Sequence, residues 1–94
     1  MQDEAFEWDD AKAASNRALH GVSFEAASGV FRDPFALEWL DEREDYGEER
    51  YVILGLTDGR ILYVAYTMRD ARIRLISARS AEPQERRRYH EENL

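Results

Sequence analysis

The tetrad Thr57-Asp58-Gly59-Arg60 separates two apolar runs, Tyr51 to Leu56 and Ile61 to Thr67. A two-residue hairpin turn of the type I′ class needs two positive-φ positions. Asp-Gly supplies both, because glycine has no Cβ to clash and aspartate tolerates the left-handed region. An antiparallel pair is therefore predicted in the middle of the chain. A third strand, Arg72 to Arg79, is predicted to fold back through Met68 to Ala71 and complete a meander. Within it Arg72-Ile73-Arg74-Leu75 alternates, which places both arginines on one face and both apolar residues on the other. Ile76 breaks the alternation, so a bulge near Ile76-Ser77 is expected. Spacing alone leaves the direction of Arg79 open.

Helices are expected before and after these strands in the chain. Phe6-Glu7-Trp8 reads as a short edge strand that turns two rings inward. Asp9 is the predicted N-cap of a helix that runs to about Leu19, with Ala11, Ala14 and Ala18 as its packing stripe and Gly21 as its left-handed stop. Ser23 caps a second, shorter helix in which Phe24, Ala27, Val30 and Phe31 recur at helical spacing, and Asp33-Pro34 ends it. Phe35 to Leu40 is apolar enough for a further strand. A last helix is expected from about Pro83 to Glu92, with Pro83 in its first turn and Glu85 at the positive end of its dipole. The pattern predicts one α+β domain over residues 1–94, with two N-terminal helices and one C-terminal helix.

Charge is divided along the chain. Residues 1–49 carry 14 acidic and 4 basic side chains, whereas residues 50–94 carry 6 acidic and 9 basic, and all nine are arginine. The net charge of -7 argues against whole-surface binding to nucleic acid, but a local arginine surface suits bidentate contacts to phosphate. The plainer reading of the same arginines is that they solvate an open sheet face. Asp41 to Glu49 holds six carboxylates without the ligand alternation of a calcium loop, and is read as a solvated loop. The chain has no cysteine, which excludes disulfides, thiolate nucleophiles and cysteine-rich zinc sites. The acidic start, Met1-Gln2-Asp3-Glu4, is unlike a signal peptide, and no apolar run approaches membrane-spanning length, so a cytoplasmic location is expected.

Phe6-Glu7-Trp8-Asp9, Lys12, Asn16 and His20-Gly21-Val22-Ser23-Phe24-Glu25-Ala26 resemble the opening of the BrnT family of bacterial toxins. Glu49-Arg50-Tyr51, Thr67-Met68-Arg69, Ile76-Ser77-Ala78-Arg79 and Glu85-Arg86-Arg87-Arg88-Tyr89 resemble the rest of that family's pattern in the same order. The similarity covers nearly the whole chain. It departs at Leu19, where the family often has lysine. The resemblance implies a RelE-like fold, with helices on one face of a curved, mainly antiparallel sheet. It also implies an endoribonuclease toxin of a type II toxin-antitoxin pair, acting on RNA and neutralised in a hetero-oligomer by a DNA-binding, BrnA-type antitoxin.

Cutting RNA without a metal or other cofactor requires a base for the ribose 2'-hydroxyl, cations for the phosphate and an acid for the leaving oxygen. On that reading Arg69 and Arg79 hold the scissile phosphate, helped by Arg50 or Arg74, and His20 or Tyr89 handles a proton. Arg72, Arg74, Lys12 and Trp8 are candidate contacts to the rest of the strand. Each candidate has a plainer role. His20 sits where a histidine contacts the last carbonyls of its helix. Tyr89 and the tryptophans Trp8 and Trp39 suit packing, and Lys12 and Asn16 share a helix face. Arg86, Arg87 and Arg88 point in three directions, so at most two serve one site. The alternatives to a nuclease are a non-cutting module that still binds the antitoxin, and a DNA-binding repressor; no helix-turn-helix with a basic recognition helix supports the latter.

Overall fold

The computed structural model describes residues 1–94. The elements run β1 (Phe6–Glu7), α1 (Asp10–His20), α2 (Phe24–Ser28), a 3-10 turn (Gly29–Arg32), β2 (Leu37–Leu40), β3 (Tyr51–Thr57), β4 (Arg60–Arg69), β5 (Arg72–Ser80) and α3 (Pro83–Glu92). They form an α+β fold around one open, mixed sheet of order β1-β5-β4-β3-β2, in which only the β1–β5 pair is parallel. No helix is long and apolar enough to cross a membrane.

The central hairpin forms as its turn dictates. Asp58 and Gly59 adopt φ of 49° and 75°, and Thr57 pairs with Arg60. The next turn is tighter than the sequence indicates. Strand β4 continues through Arg69, which leaves only Asp70 and Ala71, at φ of 51° and 63°, to reverse the chain. The expected bulge is present: Ala65 pairs with Ser77 and Tyr66 with Leu75, so Ile76 is the extra residue on β5.

Helix termini follow their caps. The Asp9 carboxylate accepts from the Lys12 amide at 3.0 Å, and Gly21 closes α1 at φ 69°. Ser23 Oγ accepts from the Ala26 amide at 3.0 Å. Glu85 reaches back to accept from the Glu82 amide at 2.8 Å, which makes Glu82 the N-cap of α3. Two local expectations are corrected. Ala11, Ala14 and Ala18 are exposed, and the inward face of α1 carries Ala13 and the buried Asn16 instead. Strand β2 begins at Leu37 rather than Phe35, because Asp33 accepts from the Phe35 amide and holds residues 33–36 in a turn.

Two apolar clusters flank the sheet. On one face Trp8, Val22, Phe24 and Val30 cover Ile53, Leu62, Val64 and Leu75. The 3-10 turn lies so close to β3 that a Cβ on Gly55 would sit 3.0 Å from Val30 Cβ, which is why that strand carries a glycine. On the other face Tyr89 of α3 packs with Leu54 and Ala81, against Leu37, Trp39, Ile61 and Tyr63. Helix α3 covers only part of that second face, and the arginines lie on what it leaves uncovered.

Candidate active site

Cross-strand partners share a face, and the β4–β5 register therefore decides which side chains meet. Tyr63 pairs with Arg79, Ala65 with Ser77, Thr67 with Arg74, and Arg69 with Arg72. All of these lie on the face opposite Leu62, Val64 and Tyr66. Arg69, Arg72, Arg74 and Arg79 thus share one open surface, and the bulge at Ile76 brings Arg79 onto it. They form two groups, because the partners of Arg74 and Arg79 are four residues apart on β4, about 13 Å at the usual rise of a strand.

The group beside α3 is the more highly built. The Arg79 guanidinium lies 4.0 Å from the centre of the Tyr63 ring and donates to both Glu85 oxygens, at 2.8 and 3.0 Å. Glu82 stands 3.5 Å away. This fork-on-carboxylate geometry, backed by a ring, fixes the guanidinium plane. The Glu85 hydrogen bonds hold the Arg79 pKa above its ordinary value, against its partial burial. Burial works to raise the Glu85 pKa, but Arg79 and the Glu82 amide outweigh it and the net shift is downward. Glu85 is therefore an ionised acceptor at neutral pH. Burial pushes the Tyr63 hydroxyl up, with Arg43 and Arg79 opposing that shift. Arg43, on the acidic loop, acts on Tyr63 and Glu85 electrostatically and is anchored bidentate at 2.9 Å on Asp41, a buried carboxylate held down to about 2 mainly by that pairing. The loop is thus tied at its start rather than wholly solvated. Trp39 lies edge-on to Tyr63 at 6.1 Å, with Arg88 4.5 Å above its ring.

The second group surrounds the Asp70-Ala71 turn. Arg50 and Arg69 share Glu48, at 3.5 and 4.0 Å, and Arg50 also lies over the Tyr46 ring. Arg74 pairs with Glu7 at 3.6 Å, and Arg72 donates to the Asp3 carbonyl at 2.7 Å.

The other sequence candidates lie elsewhere. Trp8 is buried against Phe24, which is a packing role. Tyr89 is also buried, and its hydroxyl donates to Asp33 at 2.6 Å; burial and that carboxylate push it up to about 12. Its ring and its hydroxyl are both engaged in the fold. Lys12 and His20 are exposed on α1, in the layer across the sheet from Arg79, and no hydrogen bond or ion pair joins either to the arginines. Asn16 does not bond within its own helix as a partner of Lys12. Its side chain binds the backbone of Val22 and Ala78. Sequence reading missed Tyr63, Arg43 and the acceptor role of Glu85. The signal for Tyr63 was its two-residue step from Ala65 and Thr67, which the Asp-Gly turn makes readable. Nothing local marks Arg43.

The molecule is thus an α+β protein with a guanidinium held between a ring and a carboxylate, on a sheet face lined with further arginines. Over residues 8–85 the chain matches the family model of the ribonuclease toxin BrnT of type II toxin-antitoxin systems. It belongs to that family, whose description as ribonuclease toxins implies an RNA substrate and an antitoxin partner. A search of curated proteins finds no match.

Proposed function

We propose that this chain is an endoribonuclease toxin that cuts RNA without a metal ion. The observation that carries the reading is the Arg79–Glu85–Tyr63 group on the open sheet face. In the proposed reaction a phosphate draws Arg79 from Glu85, and the freed carboxylate accepts the proton of the ribose 2'-hydroxyl. O2' attacks phosphorus while the bond to O5' breaks, and the Tyr63 hydroxyl returns a proton to O5'. The products are a 2',3'-cyclic phosphate and a 5'-hydroxyl end. Arg79 neutralises the charge that develops on phosphorus, Arg43 supports it, and Arg74, Arg72, Arg69 and Arg50 extend the cationic path along β4 and β5. His20 is proposed only as a contact to the strand beyond the cut.

The largely antiparallel sheet supports a RelE-like reading of the fold, although α1 and α2 pack on one face and α3 on the other rather than all on one face. A BrnA-type antitoxin in a cytoplasmic hetero-oligomer is the expected partner, and covering the arginine face would inhibit by occlusion. Purified protein should cleave RNA in excess chelator and leave cyclic phosphate ends. A folded Arg79→Ala variant should lose on the order of 10²–10³-fold in rate, and cleavage by that variant at the wild-type rate would reject the assignment. One observation favours a non-cutting, antitoxin-binding module instead: Arg50, Arg69, Arg74 and Arg79 each have a carboxylate within ion-pair distance. Tight antitoxin binding without any cleavage would establish that alternative.

A further inference from the structure

Of the nine arginines in residues 50–94, five are paired with carboxylates, namely Arg50, Arg69, Arg74, Arg79 and Arg88, and Arg72 is held by a backbone carbonyl. Four therefore have no carboxylate partner, and three of them, Arg60, Arg86 and Arg87, gather at one place away from Arg72. Arg60 and Arg86, with His90, Ser80 and Ala81, line a groove of about 440 Å³ between α3 and the tip of the β3–β4 hairpin. Arg87 joins Arg86 and His90 in the adjoining hollow, where exposed Glu91 is the one acidic lining residue.

The groove is built rather than incidental. Arg60 Nη2 donates to Ser80 Oγ at 3.0 Å and Arg86 Nη1 donates to the Ala81 carbonyl at 2.7 Å, so two guanidinium groups are anchored on consecutive residues. Each keeps further N–H donors for a ligand. The same short segment leads to the candidate active site, because Arg79 immediately precedes Ser80 and donates to its carbonyl at 3.2 Å. Helix α3 stands between the two regions, with Glu85 and Arg88 on the flank facing Tyr63 and Trp39, and Arg86 and His90 on the flank facing the groove.

Unpaired guanidinium groups in a chain of net charge -7 are the places where an anion binds without first displacing a carboxylate. We infer that the Arg60–Arg86–Arg87–His90 groove binds backbone phosphates of the RNA strand flanking the cut, so that a strand held at Arg79 passes round the first turn of α3 into it. This deepens the ribonuclease reading and rests on it. The groove supplies ground-state affinity that the carboxylate-paired Arg79 site lacks.

The test is fluorescence anisotropy with a labelled 2'-O-methyl oligoribonucleotide, which cannot be cut by 2'-hydroxyl attack, titrated at several salt concentrations. The protein variants are Arg60→Gln/Arg86→Gln/Arg87→Gln and Arg60→Gln/Arg87→Gln, the second of which keeps the Arg86 contact to Ala81 in case the triple variant unfolds. Arg17→Gln/Arg32→Gln, at exposed positions outside the groove, is the control. Three lost phosphate contacts should weaken binding on the order of tenfold at low salt and flatten the log–log salt slope by about 2. The double variant should show roughly two thirds of that change in slope, and the control none. Groove variants with the affinity and slope of the wild type overturn the inference. So does a triple variant that binds RNA normally but has lost its antitoxin, which would make the groove a protein-docking surface. A wild type that binds the 2'-O-methyl strand through the groove yet leaves the matching ribo-oligonucleotide intact rejects the nuclease reading alone.

Discussion

Asn16 offers the most direct test of how this fold is held together. Its side chain is buried and makes three hydrogen bonds to main chain: Nδ2 donates to the carbonyls of Val22 at 3.0 Å and Ala78 at 2.8 Å, and Oδ1 accepts from the Ala78 amide at 3.0 Å. One amide therefore satisfies the edge of β5 beyond the end of β1 and ties it to the loop after α1. Asn16→Ala strands three buried polar groups, each worth about 1 kcal/mol when paired and more when left orphaned. The better helix propensity of alanine returns roughly 0.5 kcal/mol. The net loss should be about 3 kcal/mol, a large share of the stability of a small domain. In urea, with a slope of about 1 kcal/mol per molar for a chain of this size, the midpoint should fall by roughly 2–3 M at unchanged slope. Asn16→Asp keeps the acceptor for Ala78 but sets a carboxylate oxygen against two carbonyls. It should be at least as unstable at pH 7 and recover as acid protonates the new group, since burial and those carbonyls raise its pKa. An Asn16→Ala midpoint within about 0.5 M of the wild type would refute the reasoning.

Ala71 sits in the left-handed region at φ 63° on an exposed turn. Ala71→Gly should relieve about 1 kcal/mol of strain, partly offset by backbone entropy, and raise Tm by roughly 2–6 °C in a thermal melt; an unchanged or lower Tm would show that the turn is not strained. Asp41, held down to about 2 by Arg43, contributes stability that is complete above the ordinary carboxylate pKa and is lost as pH falls from about 4 towards 2. Solvent reaches the loop, so that contribution is put at about 1 kcal/mol. Urea melts should find Asp41→Asn less stable by that amount at pH 6 and level with the wild type near pH 2, whereas a gap independent of pH would contradict the pairing.

What the sequence made legible was local. The Asp58-Gly59 turn, the Asp9 and Ser23 caps and the Gly21 stop each rest on residues within a few positions of one another, and each appears in the fold. The break in alternation at Ile76 was equally local, and so was the bulge it announced. What escaped was long-range. Helix α1 presents alanines on every side, so periodicity cannot select its inward face, and the choice falls to Asn16, whose partner Ala78 is 62 residues away. The packing role open to Tyr89 was legible, but the bond from its hydroxyl to Asp33 spans 56 positions and was not. The candidate site was half legible for the same reason. Alternation located Arg72 and Arg74, whereas the contact of Arg79 with Tyr63 depends on strand register, and the electrostatic influence of Arg43 on Tyr63 depends on the loop that Asp41 anchors.

The bulge at Ile76 links the fold to the site. With unbroken alternation from Arg72, Arg79 would fall on the side of Ile73 and Leu75, where Val64 and Leu62 are buried beneath the helices. A guanidinium there would lose its hydration and find no carboxylate, a cost of several kcal/mol. One inserted residue moves Arg79 to the other face and Ala78 to the core side, where a small side chain fits and where its main chain meets Asn16. The two outcomes are inseparable, since the register that buries Ala78 under α1 is the register that lays Arg79 across the Tyr63 ring. Asn16 bonds the Ala78 amide and carbonyl together and so holds β5 in that register from its open edge. A buried amide in the helix layer thereby governs where the Arg79 guanidinium lies on the opposite face.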